Sequence, residues 1–310
     1  MAAKQGILEM GSIVMDHTMY VDRLPTVGQS LMTDNFHRFP GGKGSNQAIT
    51  AARFGGQVRF IGRIGTDATS REMDGYLRRE QVDMAGMIVD PDTTVGMAIV
   101  LVDKQGNNYV VFDPAATLRL TPQDIENSRQ LFVPGDLLAL TMEFERETVY
   151  AAIRMAHRQG MRVMLDPLAI PLSEFPADIP PMVEFVKPNE TEASALTGIE
   201  VCDPDTARRA GEVLRQAGFA RPIVSLGAQG ILAWVDGQPV HLPAPAVSAI
   251  DSTGAGDVFI GAFCGELTQH GDLLQALRMA VAAAALSTTK MGAQTSIPRR
   301  EDVLRALQEQ

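Results

Sequence analysis

From Leu137 onward the chain alternates short apolar runs with amphipathic stretches, and this alternation restricts its fold more than any other feature. LLALTME (from Leu137), MRVMLDP (Met161), EFVKP (Glu184), PIVSLG (Pro222) and ILAWV (Ile231) read as strands. ETVYAAIRMAHRQG (Glu147), a segment from Glu190 and TARRAGEVLRQAG (Thr206) carry helical spacing, and further helices are expected from Gly256, Asp272 and Arg300. Strands separated by helices imply βαβ units, so the expected class is α/β with a mostly parallel central sheet. Toward the amino terminus, Gly6 to Ile13 and VRFIGRIG (Val58) read as strands, and GSNQAITAARF (Gly44) and SREMDGYLRRE (Ser70) as helices. Two regions break the rhythm. TVGMAIVLVD (Thr94) and YVVFD (Tyr109) flank a turn at Lys104 to Asn108, and MYVDRLP and SLMTDNFHRF follow one another with no helix between. They predict a small β-sheet over one end of the body. The expected division is a body of residues 1–14, 41–92 and 115–310 and a lid of residues 15–40 and 93–114.

A chain of 310 residues, 45% hydrophobic and 21% charged, can bury a sizeable core in one large α/β domain with a small addition. Its formal net charge of −10 argues against nucleic acid as a partner, which needs clustered Lys and Arg, but leaves room for a local basic pocket. The two cysteines, Cys202 and Cys264, are far apart, which disfavours a disulfide framework or structural zinc and fits a reducing compartment. The five histidines show no metal-ligand spacing. The most membrane-like run, MAVAAAALS from Met279, lies between Arg278 and Lys290 and falls short of the roughly 20 apolar residues of a span. It reads as a buried helix. The first residues lack a signal-peptide apolar core, so a cytoplasmic location is expected, with no membrane partner.

The stretch DSTGAGDVFIGAF, Asp251 to Phe263, carries the chemistry. Gly254-Ala255-Gly256 would form a turn before a helix from about Asp257 to Leu267. Backbone N–H groups at that helix start are unpaired and form an anion site. Asp257 there has two readings. It is either a first-turn residue favoured by the helix dipole, by roughly 0.3–1 kcal/mol, or a general base. A carboxylate would repel a passively bound phosphate, but in phosphoryl transfer the attacking hydroxyl needs a proton acceptor beside the anion site. A dinucleotide fingerprint fits less well, because Gly261 comes two residues late for G-x-G-x-x-G. The second motif, FPGGKGSNQA from Phe39, is not a Walker A loop, because Gly44 follows Lys43. Gly41-Gly42 allow close approach to a ligand, and Lys43 and Asn46, three apart, can point to one side. A glycine turn with a solvated lysine is the plainer reading.

GGKGSNQA together with DSTGAGDVFIGAF resembles the ribokinase-like (PfkB-type) family of carbohydrate kinases, and within it the ribokinase branch. MGSIVMD, LPTVGQSL, IGRIGTD, KPNETEASALTGIEV and KMGAQTSIP extend the likeness over nearly the whole chain. The resemblance implies a three-layer α/β sandwich with a β-sheet lid serving as a dimer clasp. It also implies transfer of the γ-phosphoryl of ATP to a sugar hydroxyl, with magnesium, and potassium as activator. Asp257 would be the catalytic base, and Gly254, Ala255 and Gly256 the anion hole. Asp16, Gly42, Lys43, Asn46 and Glu143 match sugar-contacting positions. Asn189 and Glu190 match a motif that organises magnesium and phosphates through water, although Asn189 with Glu192 is also a helix-capping box. Ser225, Gly227 and Gly230 resemble a nucleotide loop. Asp251, Thr253, Ser287, Lys290, Gly292 and Ser296 match loops that enclose potassium, Lys290 through its carbonyl. The chain departs at Val14, where such sequences carry Asn, and at Asp166-Pro167, where they carry Asn-Pro.

The leading expectation is an ATP-dependent kinase for ribose or a related sugar, working as a homodimer. A kinase for a nucleoside, deoxyribose or another furanose is the same-fold alternative, kept open by Val14. A non-catalytic sugar- or nucleotide-binding regulator is disfavoured by Asp257, and a nicotinamide-dependent dehydrogenase by the absent fingerprint glycine.

Overall fold

The computed structural model describes residues 5–105 and 108–308. Residues 1–4, 309 and 310 of the expected body and 106 and 107 of the expected hairpin turn lie outside the described residues. In chain order the first strands are β1 (Gly6–Met10), β2 (Val14–Tyr20), β3 (Phe36–Gly41), β4 (Gln57–Ile64), β5 (Asp83–Val89), β6 (Gly96–Val102) and β7 (Asn108–Asp113). They are followed by β8 (Leu137–Thr141), β9 (Arg162–Asp166), β10 (Phe185–Val186), β11 (Arg221–Ser225), β12 (Ile231–Val235) and β13 (Gln238–Leu242). The helices are α1 (Lys43–Arg53), α2 (Ala68–Arg79), α3 (Pro122–Asn127), α4 (Arg146–Arg158) and α5 (Glu190–Thr197). After these come α6 (Pro204–Ala217), α7 (Ala255–His270), α8 (Leu273–Ser287), α9 (Ala293–Ser296) and α10 (Arg300–Gln308).

Among the described residues the strands form two sheets. The larger has nine strands in the order β13-β12-β11-β10-β9-β8-β1-β4-β5, parallel except at β11-β12 and β12-β13. Its central strands are buried on both faces, which is why they read as continuous apolar runs. Ile7, Leu137, Met164 and Phe185 face a core built with α1, α7 and α8, while Leu8, Leu138, Val163 and Val186 face one built with α4. Helices on both faces make three layers, the expected architecture. The smaller sheet has four strands in the order β3-β2-β6-β7. Among the described residues no helix is long and apolar enough to cross a membrane.

Some boundaries differ from expectation. The first strand ends at Met10, and β2 starts at Val14, before the expected Met19. Only the end of SLMTDNFHRF is a strand, from Phe36. Strands β5 and β13 were not anticipated. Helix α7 begins two residues earlier and ends three later than expected, because Gly254 and Gly271 take left-handed conformations at its two ends.

The packing of α7 on α1 sets up the site. A Cβ on Gly261 would stand 2.4 Å from the Gln47 carbonyl oxygen, and one on Gly265 would stand 2.7 Å from Phe54 Cβ. Glycines at these two positions let the helix backbones close on one another. The first turn of α1 is thereby held against the first turn of α7.

Candidate active site

Gly254 caps α7 with φ of 77°, and no side chain caps the helix. The Ala255 N–H reaches the Ser252 carbonyl at 3.2 Å, while the next amides belong to a first turn with no intrahelical acceptors. Lys187, buried just after β10, brings its Nζ to 3.0 Å from the place a Cβ on Gly256 would occupy. Unpaired amides and a buried ammonium thus converge on one spot. Together they can hold an anion.

Asp257 stands beside that spot, 8% exposed. Asn46 Nδ2 donates to its Oδ2 at 2.8 Å, and Gln47 Nε2 to its Oδ1 at 3.3 Å. Burial, reinforced by the charge of Asp166 and opposed by Lys43, Asn46 and Gln47, raises its pKa to about 7. Gln47 Nε2 also donates to Asp166 Oδ2 at 3.3 Å, and Lys43 Nζ bonds the same oxygen at 3.1 Å. Burial pulls the Lys43 pKa down, but Asp166, Asp257, Glu192 and Glu143 outweigh it and keep the ammonium charged. A carboxyl poised near neutrality, next to an anion site, can accept a proton from a hydroxyl placed between them.

The small sheet supplies one wall. Asp16 of β2 faces the end of β3, its Oδ2 2.5 Å from the place of a Cβ on Gly41, and burial lifts its pKa to about 6. Gly42 packs on the Ser12 carbonyl with φ of 96°. Glu143, just after β8, accepts hydrogen bonds from Ser12 Oγ at 2.7 Å and Thr141 Oγ1 at 3.0 Å. Burial raises the Glu143 pKa, against the bond from Ser12 and the charge of Lys43. Asp16, Gly42, Lys43, Asn46 and Glu143 are therefore drawn from β2, the N-cap and first turn of α1, and the segment just after β8.

Asn189 and Glu192 form a reciprocal capping box at α5, each accepting from the other's backbone N–H at 2.9 Å. Glu190 points toward the 225–230 loop, its Oε1 3.6 Å from the place of a Cβ on Gly227. In that loop Ser225 N bonds the Pro188 carbonyl at 3.0 Å, and Gly227 and Gly230 take φ of 51° and 89°. The remaining loops meet at Asp251. Its Oδ1 accepts from Thr253 N at 2.9 Å and its Oδ2 from Gly292 N at 2.8 Å. The N–H groups of Ile250 and Asp251 both bond the Thr288 carbonyl. The hydroxyls of Ser287 and Ser296 turn to helix carbonyls, and the Lys290 side chain is exposed.

The pattern described as pfkB family carbohydrate kinase matches residues 4–300. The chain belongs to the pfkB family of carbohydrate kinases. It is 34% identical over 299 residues to a ribokinase of Haemophilus influenzae, spanning 96% of this chain and 97% of the relative. It is also 34% identical over 295 residues to a deoxyribokinase of Salmonella typhi, spanning 95% and 96%. The structure of Arabidopsis thaliana ribokinase complexed with ribose and ATP matches it with a TM-score of 0.87 at 26% identity over 98% of each chain. This family member is an ATP-dependent sugar phosphotransferase.

Three residues around Asp257 escape the sequence reading, and a fourth is read there only as a helix cap. Ser12 and Gln47 stand inside quoted motifs, but their partners, Glu143 and the Asp166/Asp257 pair, are remote in sequence. Lys187 opens KPNE, and only the fold brings it to Gly256. Glu192, read as a cap, also feels Asp166, Lys43 and Lys187, and burial raises its pKa.

Proposed function

We propose that this kinase transfers the terminal phosphoryl group of ATP to a hydroxyl of ribose or a closely related furanose, with Asp257 as general base. The observation that carries the reading is Asp257 itself, a buried carboxyl with a pKa near 7 beside the Gly254–Gly256 turn and Lys187. The substrate oxygen forms a bond to the terminal phosphorus as its proton passes to Asp257, and the bond to ADP breaks. Amides of the turn and Lys187 take up the charge spread over the phosphoryl oxygens. Asp16, Gly42, Lys43, Asn46 and Glu143 orient the sugar, carboxylates accepting from its hydroxyls. Ser225, Gly227, Gly230, Asn189 and Glu190 border the nucleotide.

Deoxyribose is a second acceptor, favoured by one observation. Val14, 4% exposed, shares a face of β2 with Asp16, so an apolar side chain stands where a polar one would mark a hydroxyl. A regulator without catalysis would have no use for a buried base there.

Magnesium and potassium belong to the proposal. No cluster of three or more His, Cys, Asp or Glu that could hold a metal is found among the described residues. The donor set fits a magnesium ion carried by phosphate oxygens and water near Glu190, where it would neutralise phosphate charge. Asp251, whose pKa is lowered by bonds from Thr253 and Gly292 against its burial, gathers the loops of Thr253, Ser287, Lys290, Gly292 and Ser296. Their oxygens suit potassium, which would steady the anion-binding turn.

The body and lid boundaries given above are part of the same reading, as is pairing of two copies through the small sheet. Tyr109, Val110, Val111 and Phe112 on its edge strand β7 are exposed, a surface a second copy would cover. Two free cysteines support a cytoplasmic location. A panel of sugars and nucleosides with ATP and magnesium, scored by ADP release, tests the proposal. Turnover with a furanose and none without it supports the reading, and ADP release from no acceptor on the panel contradicts it.

A further inference from the structure

Glu9 lies in the middle of β1, in register with Phe60 and Ala139, and is 1% exposed. Its Oε1 has no hydrogen-bond partner among the described residues. Gln47, fully buried on α1, presents the matching problem. Its Nε2 spans Asp166 and Asp257, so turning the amide over would set its oxygen against two carboxylates. In the observed orientation Gln47 Oε1 is a second buried acceptor without a donor among the described residues.

The strand face that carries Glu9 packs against α1, the helix that carries Gln47, because α1 runs back along β1. At one end a Cβ on Gly11 would stand 2.2 Å from Gly44 Cα, and at the other a Cβ on Gly56 would stand 2.7 Å from Ile7 Cδ1. Ile7, Glu9 and Gly11 share one face of the strand, and Gly44 and Gln47 share one face of the helix. Glu9 Oε1 is 3.4 Å from the place of a Cβ on Gly11, on the side where α1 begins. The titratable groups around Glu9 are Asp257 and Cys264 of α7, Asp166 of β9 and Glu143 after β8. None is a cation.

We propose that Glu9 is an un-ionised carboxylic acid that donates its proton to the Gln47 amide oxygen and so holds the Gln47 amide across Asp166 and Asp257. One proton satisfies both orphaned acceptors. Burial and the charges of Asp257, Asp166 and Glu143 hold the Glu9 pKa well above its usual value, consistent with a retained proton. Glu9 is thus a positioning residue that acts through Gln47. Its effect on turnover rests on the reading of Asp257 as base, whereas its protonation does not.

Two variants and a spectrum test this. Glu9→Met removes the donor and lowers kcat on the order of 10²-fold, with the KM for sugar little changed. Glu9→Gln keeps a neutral donor and recovers most of that loss. The acid limb of kcat/KM stays in place in Glu9→Gln, because one uncharged group replaces another. An acid limb displaced to lower pH in Glu9→Gln, or undiminished kcat in Glu9→Met, overturns the inference. Difference infrared spectra at neutral pH, recorded in an Asp257→Asn background, are expected to show the carbonyl stretch of a carboxylic acid that Glu9→Gln abolishes. Absence of that band refutes the inference even if Glu9→Met fails to fold, and leaves the role of Asp257 untouched. A band present in Asp257→Asn and lost on adding Glu9→Gln, with Asp257→Asn alone turning over normally, refutes the base and leaves Glu9 protonated.

Discussion

Asn46 donates a 2.8 Å hydrogen bond to Asp257 across 211 positions of sequence. The bond exists because α1 and α7 touch through backbone at Gly261. Gly261→Ala places a methyl group 2.4 Å from the Gln47 carbonyl oxygen, and one helix must give way. The expected result is a loss of about 1–3 kcal/mol of stability together with lower kcat, checked by denaturant midpoint and turnover on the same preparation.

With Asp257 as the proposed base, its pKa of about 7 is expected to set the acid side of the activity profile. A base must be ionised, so kcat/KM falls as pH drops through that value in the free enzyme. Asp166 raises the Asp257 pKa by like charge. Asp166→Asn is therefore expected to move the acid limb to lower pH, measured by initial rates across a buffer series.

The same raised pKa makes the site a drain on stability. Between pH 3.8 and about 7 the folded protein holds a proton on Asp257 that the unfolded chain has released, so this contribution to stability falls as pH rises through that window. Asp257→Asn removes the penalty. It should be more stable than the parent above about pH 7, by on the order of a few kcal/mol, and melt higher, with the difference vanishing toward pH 3.8. Calorimetry across that range checks the sign.

Lys187 is the buried cation beside Gly256. Its loss in Lys187→Met leaves phosphoryl charge uncompensated, so kcat should fall on the order of 10²-fold. Steady-state kinetics with varied ATP and saturating sugar measure it.

Much of this was legible in the sequence, for physical reasons that also explain the gaps. Strands buried on both faces announce themselves as apolar runs, so β8, β9 and β11 were read directly. Strand β5 was not. Its central Gly86, where a Cβ would stand 2.5 Å from the Phe60 carbonyl oxygen, interrupts the apolar pattern of DMAGMIV. Strand β13 was signalled only by the Asp236-Gly237 turn, both residues with positive φ, in the manner of a two-residue hairpin. At the site, glycine turns and their neighbouring carboxylate stand in local motifs. Gln47 and Lys187 depend instead on which helix and which strand end lie opposite, and spacing along the chain carries no trace of that.

The most direct measurement is turnover of Asp257→Asn with ATP and an active sugar, alongside calorimetric titration of ATP. Loss of general-base assistance predicts a fall of at least roughly 10²-fold in kcat with ATP binding preserved. Turnover near that of the parent would contradict the account.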